Sequence, residues 1–283
     1  MNKMDNLKEY EQKGYLNKDF RFFHITSDEE LDIPYHYHDF HKLILILSGN
    51  VKYMIEGREY ELLPFDFVLV NRFLIHRPVV SCDGVNKYDR VILYLSHSFL
   101  EKNSLLDAFD IASKKDGHVA RFSANISAEL LDMLKVIEDD IANEDKEYAG
   151  ELTTRLDVLK MLIAFNKACI SEKRAFGAEA RYNRRVIELI EYITDNLGSD
   201  LSIDLLADKF YMSRYHMMRT FKKETGYSIH RYISEKRILK ARDLIISGMP
   251  TTSACIECGF KDYSSFSRAF KNQLGILPSE VKI

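Results

Sequence analysis

Between Phe22 and about Leu95 the apolar positions come in short runs, among them Leu43–Leu47, Val51–Ile55, Phe65–Val70 and Arg90–Leu95. The runs are rich in Val, Ile, Leu, Phe and Tyr, side chains that fit a pleated, half-buried surface. Ser48-Gly49-Asn50, Glu56-Gly57 and Asp83-Gly84 punctuate them as turn residues do. Many short strands without intervening helices predict an antiparallel barrel or sandwich. The period then changes. Leu130, Leu131, Leu134, Ile137 and Ile141 follow helical spacing, and Leu152, Leu156, Leu159 and Ile163 form a narrow apolar seam. Such a seam packs on the barrel, on a sister helix or on a second copy of the chain. Ser171–Asn183 is polar, contains Gly177 and reads as a linker. Beyond it the pattern is helical throughout: Arg184–Asn196, Ile203–Phe210, Ser213–Glu224, His230–Ser247, Thr251–Cys258 and Asp262–Gln273.

These shifts predict a polar arm over 1–20, a barrel over 21–100 and a helical packing or dimerisation segment over 101–170. A linker over 171–183 and an all-helical domain over 184–283 follow. The fold class is α+β multidomain, and 283 residues are enough for two domains. No apolar run approaches the ~18 residues of a membrane span. The opening MNKMDNLKEYEQKG lacks the apolar stretch of a secretory signal, and four Cys are too few for a disulfide framework, so a reduced, cytoplasmic protein is expected. Net charge is -3, but it is unevenly spread. Residues 180–283 carry 17 basic and 12 acidic side chains, whereas residues 1–179 carry 23 and 31. A basic final third points to a polyanionic partner.

That basic third contains a repeat. Arg219-Thr220-Phe221-Lys222-x3-Gly226 recurs 49 residues later as Arg268-Ala269-Phe270-Lys271-x3-Gly275. Each copy ends a helix at its Gly, and a short helix and a tight turn precede it, so the pattern is helix, turn, helix, twice. The second helix of such a pair fits the major groove, and two copies on a connecting helix suit successive grooves. In the first copy Ser213 caps the helix, Met217 and Phe221 face inward, and Tyr215, Met218 and Arg219 lie on another face, able to meet base edges. Arg214, Lys222 and Lys223 suit phosphates, as does Ser213 at the helix start. In the second copy Phe266 and Phe270 point inward, Tyr263, Ser264, Ser267 and Arg268 point outward, and Lys271 lies near the backbone.

The whole pattern resembles the AraC/XylS-type DNA-binding domain. The matching residues are Ala207, Ser213, Arg219, Phe221, Lys222 and Gly226, then Arg237-x3-Ala241-x2-Leu244-Ile245, then Gly259-Phe260-x3-Ser264-x-Phe266-Ser267-Arg268-x-Phe270-Lys271-x3-Gly275-x2-Pro278. The resemblance implies two helix-turn-helix units bridged by a long helix near His230–Ser247, and a transcription regulator, an activator in keeping with the family. Its partners would be double-stranded DNA, a second copy of the chain and RNA polymerase. By the same match, base reading falls on Tyr215, Met218, Arg219, Tyr263, Ser264, Ser267 and Arg268. Met218 stands at a position often polar in relatives, which implies contact with a thymine methyl or none.

His36-Tyr37-His38-x3-Lys42-x6-Gly49, with Gly57, Pro64 and His76-Arg77-Pro78, resembles the cupin barrel that precedes many AraC-type domains. Metal cupins supply two His and a Glu from the first motif and a third His from the second. Lys42 stands in place of the Glu and Leu69 in place of the last His, so neither metal nor cofactor is expected. Strand alternation puts His36, His38 and Lys42 on one side. With His76 nearby, the expected ligand is a polar or anionic effector, a sugar or an organic acid. Cys255-x2-Cys258 reads as core filling, the acidic residues Glu138, Asp139, Asp140, Glu144 and Asp145 lack the pattern of a calcium loop, and Ser96-His97-Ser98 lacks a carboxylate partner. No phosphate loop, dinucleotide fingerprint or nucleophile elbow is present. The expected protein is therefore an effector-controlled DNA-binding regulator and not an enzyme. The alternatives are a regulator that needs no ligand, and a metal-dependent cupin enzyme.

Overall fold

The computed structural model describes residues 16–28, 31–81, 87–114, 117–172 and 175–281. Most of the expected arm and the Asp83-Gly84 turn lie outside the described residues. The chain forms two compact units, one built from residues up to Ile55 with Glu59–Arg181 and one from Glu56–Arg58 with the chain from Tyr182 onward.

Among the described residues there are ten strands: β1 (Phe20–Ser27), β2 (Leu31–Asp32), β3 (Phe40–Ser48), β4 (Asn50–Ile55), β5 (Arg58–Glu61), β6 (Phe67–Val70), β7 (His76–Ser81), β8 (Tyr88–Ser96), β9 (Val119–Ala120) and β10 (Ala180–Tyr182). They form two five-stranded sheets, ordered β1-β8-β3-β6-β9 and β10-β5-β4-β7-β2. β3 pairs antiparallel with both β6 and β8. It is buried on both faces, which explains its continuous apolar run. Phe40, Ile44 and Ile46 belong to the core between the sheets, whereas Leu43 and Leu45 belong to a second core shared with the helices. Strand order begins inside the expected arm, since Phe20 pairs with Leu95 and the Ser96 N–H donates to the Asp19 carbonyl at 2.9 Å. β10 likewise lies inside the segment read as a linker.

Among the described residues four helices complete the first unit: α1 (His97–Lys102), α2 (Asp107–Lys114), α3 (Ala124–Asn143) and α4 (Gly150–Ser171). α4 turns Thr154, Val158, Met161, Leu162 and Phe165 inward. Leu152, Leu156 and Ile163 of the predicted seam are exposed, at 56%, 48% and 43%, and Leu159 is half-buried against the helical core. The seam therefore lies on the opposite side from the core-facing stripe.

The second unit is helical: α5 (Arg184–Asp195), α6 (Ile203–Lys209), α7 (Arg214–Thr225), α8 (Ile229–Ile246), α9 (Thr251–Glu257) and α10 (Tyr263–Leu274), with a final 3-10 turn at Pro278–Glu280. Side-chain oxygens cap five of these starts: Asn183 accepts from Arg185 and Val186 N–H groups, and Ser202, Ser213, Ser228 and Asp262 accept from those of Leu205, His216, Arg231 and Ser265. Cys255 and Cys258 pack with Ile238, Ala241, Ile245, Ala254, Phe266 and Phe270, which makes them core side chains as their helical setting predicts. Burial pushes the Cys258 thiol up to about 11. Among the described residues no helix is long and apolar enough to cross a membrane.

Candidate nucleic-acid interface and barrel site

The repeat folds as two matched helix-turn-helix pairs, α6 with α7 and α9 with α10. In the first turn Tyr211 takes a left-handed φ of 51°, and the Met212 N–H donates to the Ala207 carbonyl at 3.0 Å. In the second, Gly259 takes φ 77° and the Phe260 N–H donates to the Cys255 carbonyl at 3.1 Å. Left-handed backbone comes without steric penalty to Gly and at a cost to Tyr, so the two turns reach one shape from different residues.

α7 buries Met217 and Phe221 and leaves Tyr215, Met218 and Arg219 exposed. α10 buries Phe266 and Phe270 and leaves Tyr263, Ser264 and Arg268 exposed, with Ser267 half-buried. Every base-reading candidate thus lies off the buried stripe of its helix, as the spacing requires. Arg219 and Arg268 occupy corresponding positions in the repeat and can each present a bidentate fork to guanine. Lys222, Lys223 and Lys271 are exposed in the last turns. Several candidates already have internal duties. The Ser213 hydroxyl accepts from His216 N at 3.3 Å, and Arg214 Nε pairs with Asp204 Oδ1 at 2.7 Å. Both partners of that ion pair are exposed, so it is worth at most about 1 kcal/mol and yields readily to a phosphate. The Tyr263 hydroxyl donates to Thr251 Oγ1 at 3.2 Å, linking the two helices of the second pair. The Asp262 carboxyl is held below its usual range by hydrogen bonds from Ser265, with the Arg268 charge helping.

One residue given no role by the sequence reading organises this unit. Arg237 of α8 donates from Nε to the Leu197 carbonyl at 2.8 Å, from Nη1 to the Gly259 carbonyl at 3.0 Å and from Nη2 to the Ser199 carbonyl at 2.6 Å. It joins the loop after α5 to the turn of the second pair.

In the barrel, β3 and its preceding segment direct His38, Phe40 and Lys42 to one side, as alternation predicts. His38 and Lys42 are buried. His36 and His76 form a backbone bridge, with His36 N donating to the His76 carbonyl at 3.1 Å and His76 N donating to the His36 carbonyl at 2.9 Å. The three imidazoles therefore meet: ring centres lie 4.8 Å apart for His36 and His38, 4.4 Å for His36 and His76, and 5.1 Å for His38 and His76. Lys42 Nζ lies 5.0 Å from the centre of the Tyr94 ring. Burial holds His38 and His76 well below the usual imidazole range, with the Lys42 charge adding to it in both, so these two rings are neutral.

This arrangement corrects one part of the sequence reading. The first motif does not stand as a pair of His with its third partner lost to Leu69. His76, brought across by the bridge, completes a group of three. Leu69 instead belongs to the core on the helical side of the sheet. Lys42 is the one lysine among the four candidates for the expected polar or anionic effector. Inward parity along β7, where His76, Pro78 and Val80 are buried and alternate residues are not, is the signal that marks His76.

A β-barrel joined to paired helix-turn-helix units with exposed basic side chains defines a DNA-binding transcription regulator, not an enzyme. Residues 22–157 match the family model described as AraC-like ligand binding domain, and residues 206–282 match the one described as helix-turn-helix domain. The chain belongs to the AraC family of transcription regulators, with an N-terminal ligand-binding domain and a C-terminal DNA-binding domain. It is 24% identical over 251 residues to the HTH-type transcriptional activator RhaS of Enterobacter sp. (strain 638), which covers 88% of this chain and 87% of that one. It is 22% identical over 260 residues to RhaS of Escherichia coli (strain SMS-3-5 / SECEC), covering 89% and 88%. Among solved structures, ToxT from Vibrio cholerae aligns over 93% of this chain and 97% of its own at 16% identity, with a TM-score of 0.35.

Proposed function

We propose that each chain reads DNA with α7 and α10 in successive major grooves and acts as a cytoplasmic transcription activator. Tyr215, Met218, Arg219, Tyr263, Ser264, Ser267 and Arg268 meet base edges. Ser213, Arg214, Lys222, Lys223 and Lys271 hold the backbone. The observation that carries this reading is the matched pair of helices, each with Phe anchors inward, one Arg at the corresponding outward position and a Lys four residues before its closing Gly. Phosphate contacts supply affinity and lose it as salt rises, whereas the outward stripes supply sequence choice.

The first unit binds the effector at His36, His38, Lys42 and His76 and passes its occupancy to DNA binding. A second copy of the chain covers the exposed Leu152, Leu156 and Ile163 with Leu159, a seam of two heptads suited to a helix pair. RNA polymerase is the partner of the DNA-bound form. Selection of bound sequences from a random DNA pool by the full chain tests the assignment. Enrichment of a site with two conserved blocks about one helical turn, roughly 34 Å, apart supports it. Retention of all sequences alike at moderate salt would refute it.

A further inference from the structure

The two helix-turn-helix pairs turn their corners with one backbone shape and two very different residues. α6 and α9 end alike, on Phe210 with φ -94° and ψ 5° and on Cys258 with φ -90° and ψ 9°. The next residue is left-handed in both, Tyr211 at φ 51° and Gly259 at φ 77°. Each turn then closes with the same two bonds. Tyr211 N–H donates to the Asp208 carbonyl at 3.3 Å, and Met212 N–H to that of Ala207 at 3.0 Å. Gly259 N–H donates to the Ile256 carbonyl at 2.9 Å, and Phe260 N–H to that of Cys255 at 3.1 Å. Gly is the usual left-handed residue of this helix ending, because a Cβ there crowds the following carbonyl. Burial does not offset the strain at Tyr211, whose side chain is 93% exposed. An exposed aromatic held on strained backbone is an outlier from which an external contact is inferred. Its place in the chain says what that contact is. Tyr211 stands two residues before Ser213, the N-cap of α7, a span of at most about 7 Å. The phenol is therefore at the end of α7 that carries Ser213 and Arg214. A phenol offers one O–H to a phosphate oxygen and an apolar ring to the adjoining sugar.

We propose that Tyr211 clamps the DNA backbone for the first helix-turn-helix pair: its hydroxyl donates to a phosphate beside the groove that α7 enters, and its ring packs on the sugar next to it. The inference rests on the reading of α7 as a DNA-reading helix. Such a contact is neutral. It adds affinity for any sequence and fixes the register of α7, but it releases no counterion, so the salt dependence stays with the cationic side chains. The second pair has a glycine at the corresponding turn position and lacks the clamp. Stability and binding then oppose one another at position 211, because the residue that holds the phosphate is the residue that strains the turn.

The test compares full-length wild type, Tyr211→Gly and Tyr211→Phe by thermal unfolding and by titration against the selected DNA and unrelated DNA at several salt concentrations. Tyr211→Gly removes the strain and the contact together. Its unfolding midpoint is expected to rise by roughly 2–4 °C. Its affinity for both DNAs is expected to fall by about fivefold, with the salt slope unchanged. Tyr211→Phe keeps the backbone and the ring, and is expected to melt with wild type and to bind both DNAs about threefold more weakly. Wild-type affinity in Tyr211→Gly overturns the clamp. A Tyr211→Gly chain that melts no higher than wild type overturns the strain on which the inference stands. Wild-type affinity in Tyr211→Phe overturns the phosphate bond. A loss confined to one base position overturns the backbone contact in favour of base reading. Unchanged DNA affinity with weaker transcription by purified RNA polymerase gives the contact to the polymerase and overturns the clamp. Absence of DNA binding by wild type refutes the DNA-reading assignment itself, and is read without any variant, whereas each outcome above requires DNA bound by wild type.

Discussion

Arg237 and Gly259 are joined by a 3.0 Å hydrogen bond from the guanidinium to the carbonyl in the turn of the second helix-turn-helix pair. The same side chain satisfies the carbonyls of Leu197 and Ser199, so three chain segments share one donor group. Gly259 is required here for two reasons. Its φ is 77°, and a Cβ would lie 2.7 Å from the Leu197 oxygen and 2.8 Å from Arg237 Nη2. Arg237→Ala is expected to destabilise the second unit by about 2–4 kcal/mol, because charge-assisted bonds are lost and carbonyls are left unpaired. Arg237→Lys recovers only part, since an ammonium lacks the planar fork. Thermal unfolding followed by circular dichroism measures both. Equal stability of Arg237→Ala and wild type would show the strap to be incidental.

Gly226 and Gly275 close α7 and α10 with the same geometry. Their φ values are 75° and 74°, and their N–H groups donate to the Lys222 and Lys271 carbonyls at 2.9 Å in both cases. A Cβ at Gly275 would meet nothing within 4 Å, so the cost of Gly275→Ala is conformational alone, about 1 kcal/mol. Gly275→Asn is expected to cost less, because Asn tolerates left-handed backbone. Chemical denaturation of the two variants checks the order, and Asn less stable than Ala would contradict it.

On the proposed mode of DNA binding, base readers and phosphate holders fail differently when removed. Arg219→Ala and Arg268→Ala should each weaken specific binding by roughly 1–3 kcal/mol and relax preference at one base position. Lys222→Ala and Lys271→Ala should weaken binding to all sequences alike and lower the salt slope by about one. Titrations against the selected site, single-base variants of it and unrelated DNA at several salt concentrations separate the two patterns. Full discrimination in an Arg variant would remove that residue from the base-reading set.

The features readable from sequence were the local ones. The helix-turn-helix repeat shows itself because each copy is a contiguous pattern of caps, Phe anchors and closing Gly. β3 shows itself because a strand buried on both faces leaves an unbroken apolar run. The barrel cluster was only half legible. His36 and His38 sit on one strand parity and His76 is a candidate by its own motif, but the backbone bridge that joins His76 to His36 across 40 residues is encoded by no local pattern. Arg237 was visible only as a matching residue, because its partners are carbonyls 22 to 40 positions distant. β10 escaped because a polar three-residue edge strand carries no apolar alternation.

His41 faces away from the cluster, into the helical side of β3, and gives the barrel an acid sensitivity of its own. Its Nε2 lies 3.1 Å from His97 Nδ1, and its ring meets the Phe109 edge at 4.7 Å. Burial, followed by the charges of His97 and Arg72, pushes its pKa from 6.5 to about 3. A histidine held neutral when folded contributes its full stability above pH 6.5 and loses it as pH falls toward 3. In that window the unfolded chain binds the extra proton. The loss is about 1.4 kcal/mol per pH unit, or about 2 kcal/mol between pH 6.5 and 5. His38 and His76 are displaced in the same direction and steepen the fall. His41→Leu keeps an apolar contact with Phe109 and removes one titrating group. Stabilities from amide exchange of β3 residues Leu43–Ile46, measured from pH 7 to pH 5, are therefore expected to fall less steeply in His41→Leu than in wild type, by about one proton. Parallel slopes for the two proteins would mean that His41 takes up its proton without opening the barrel.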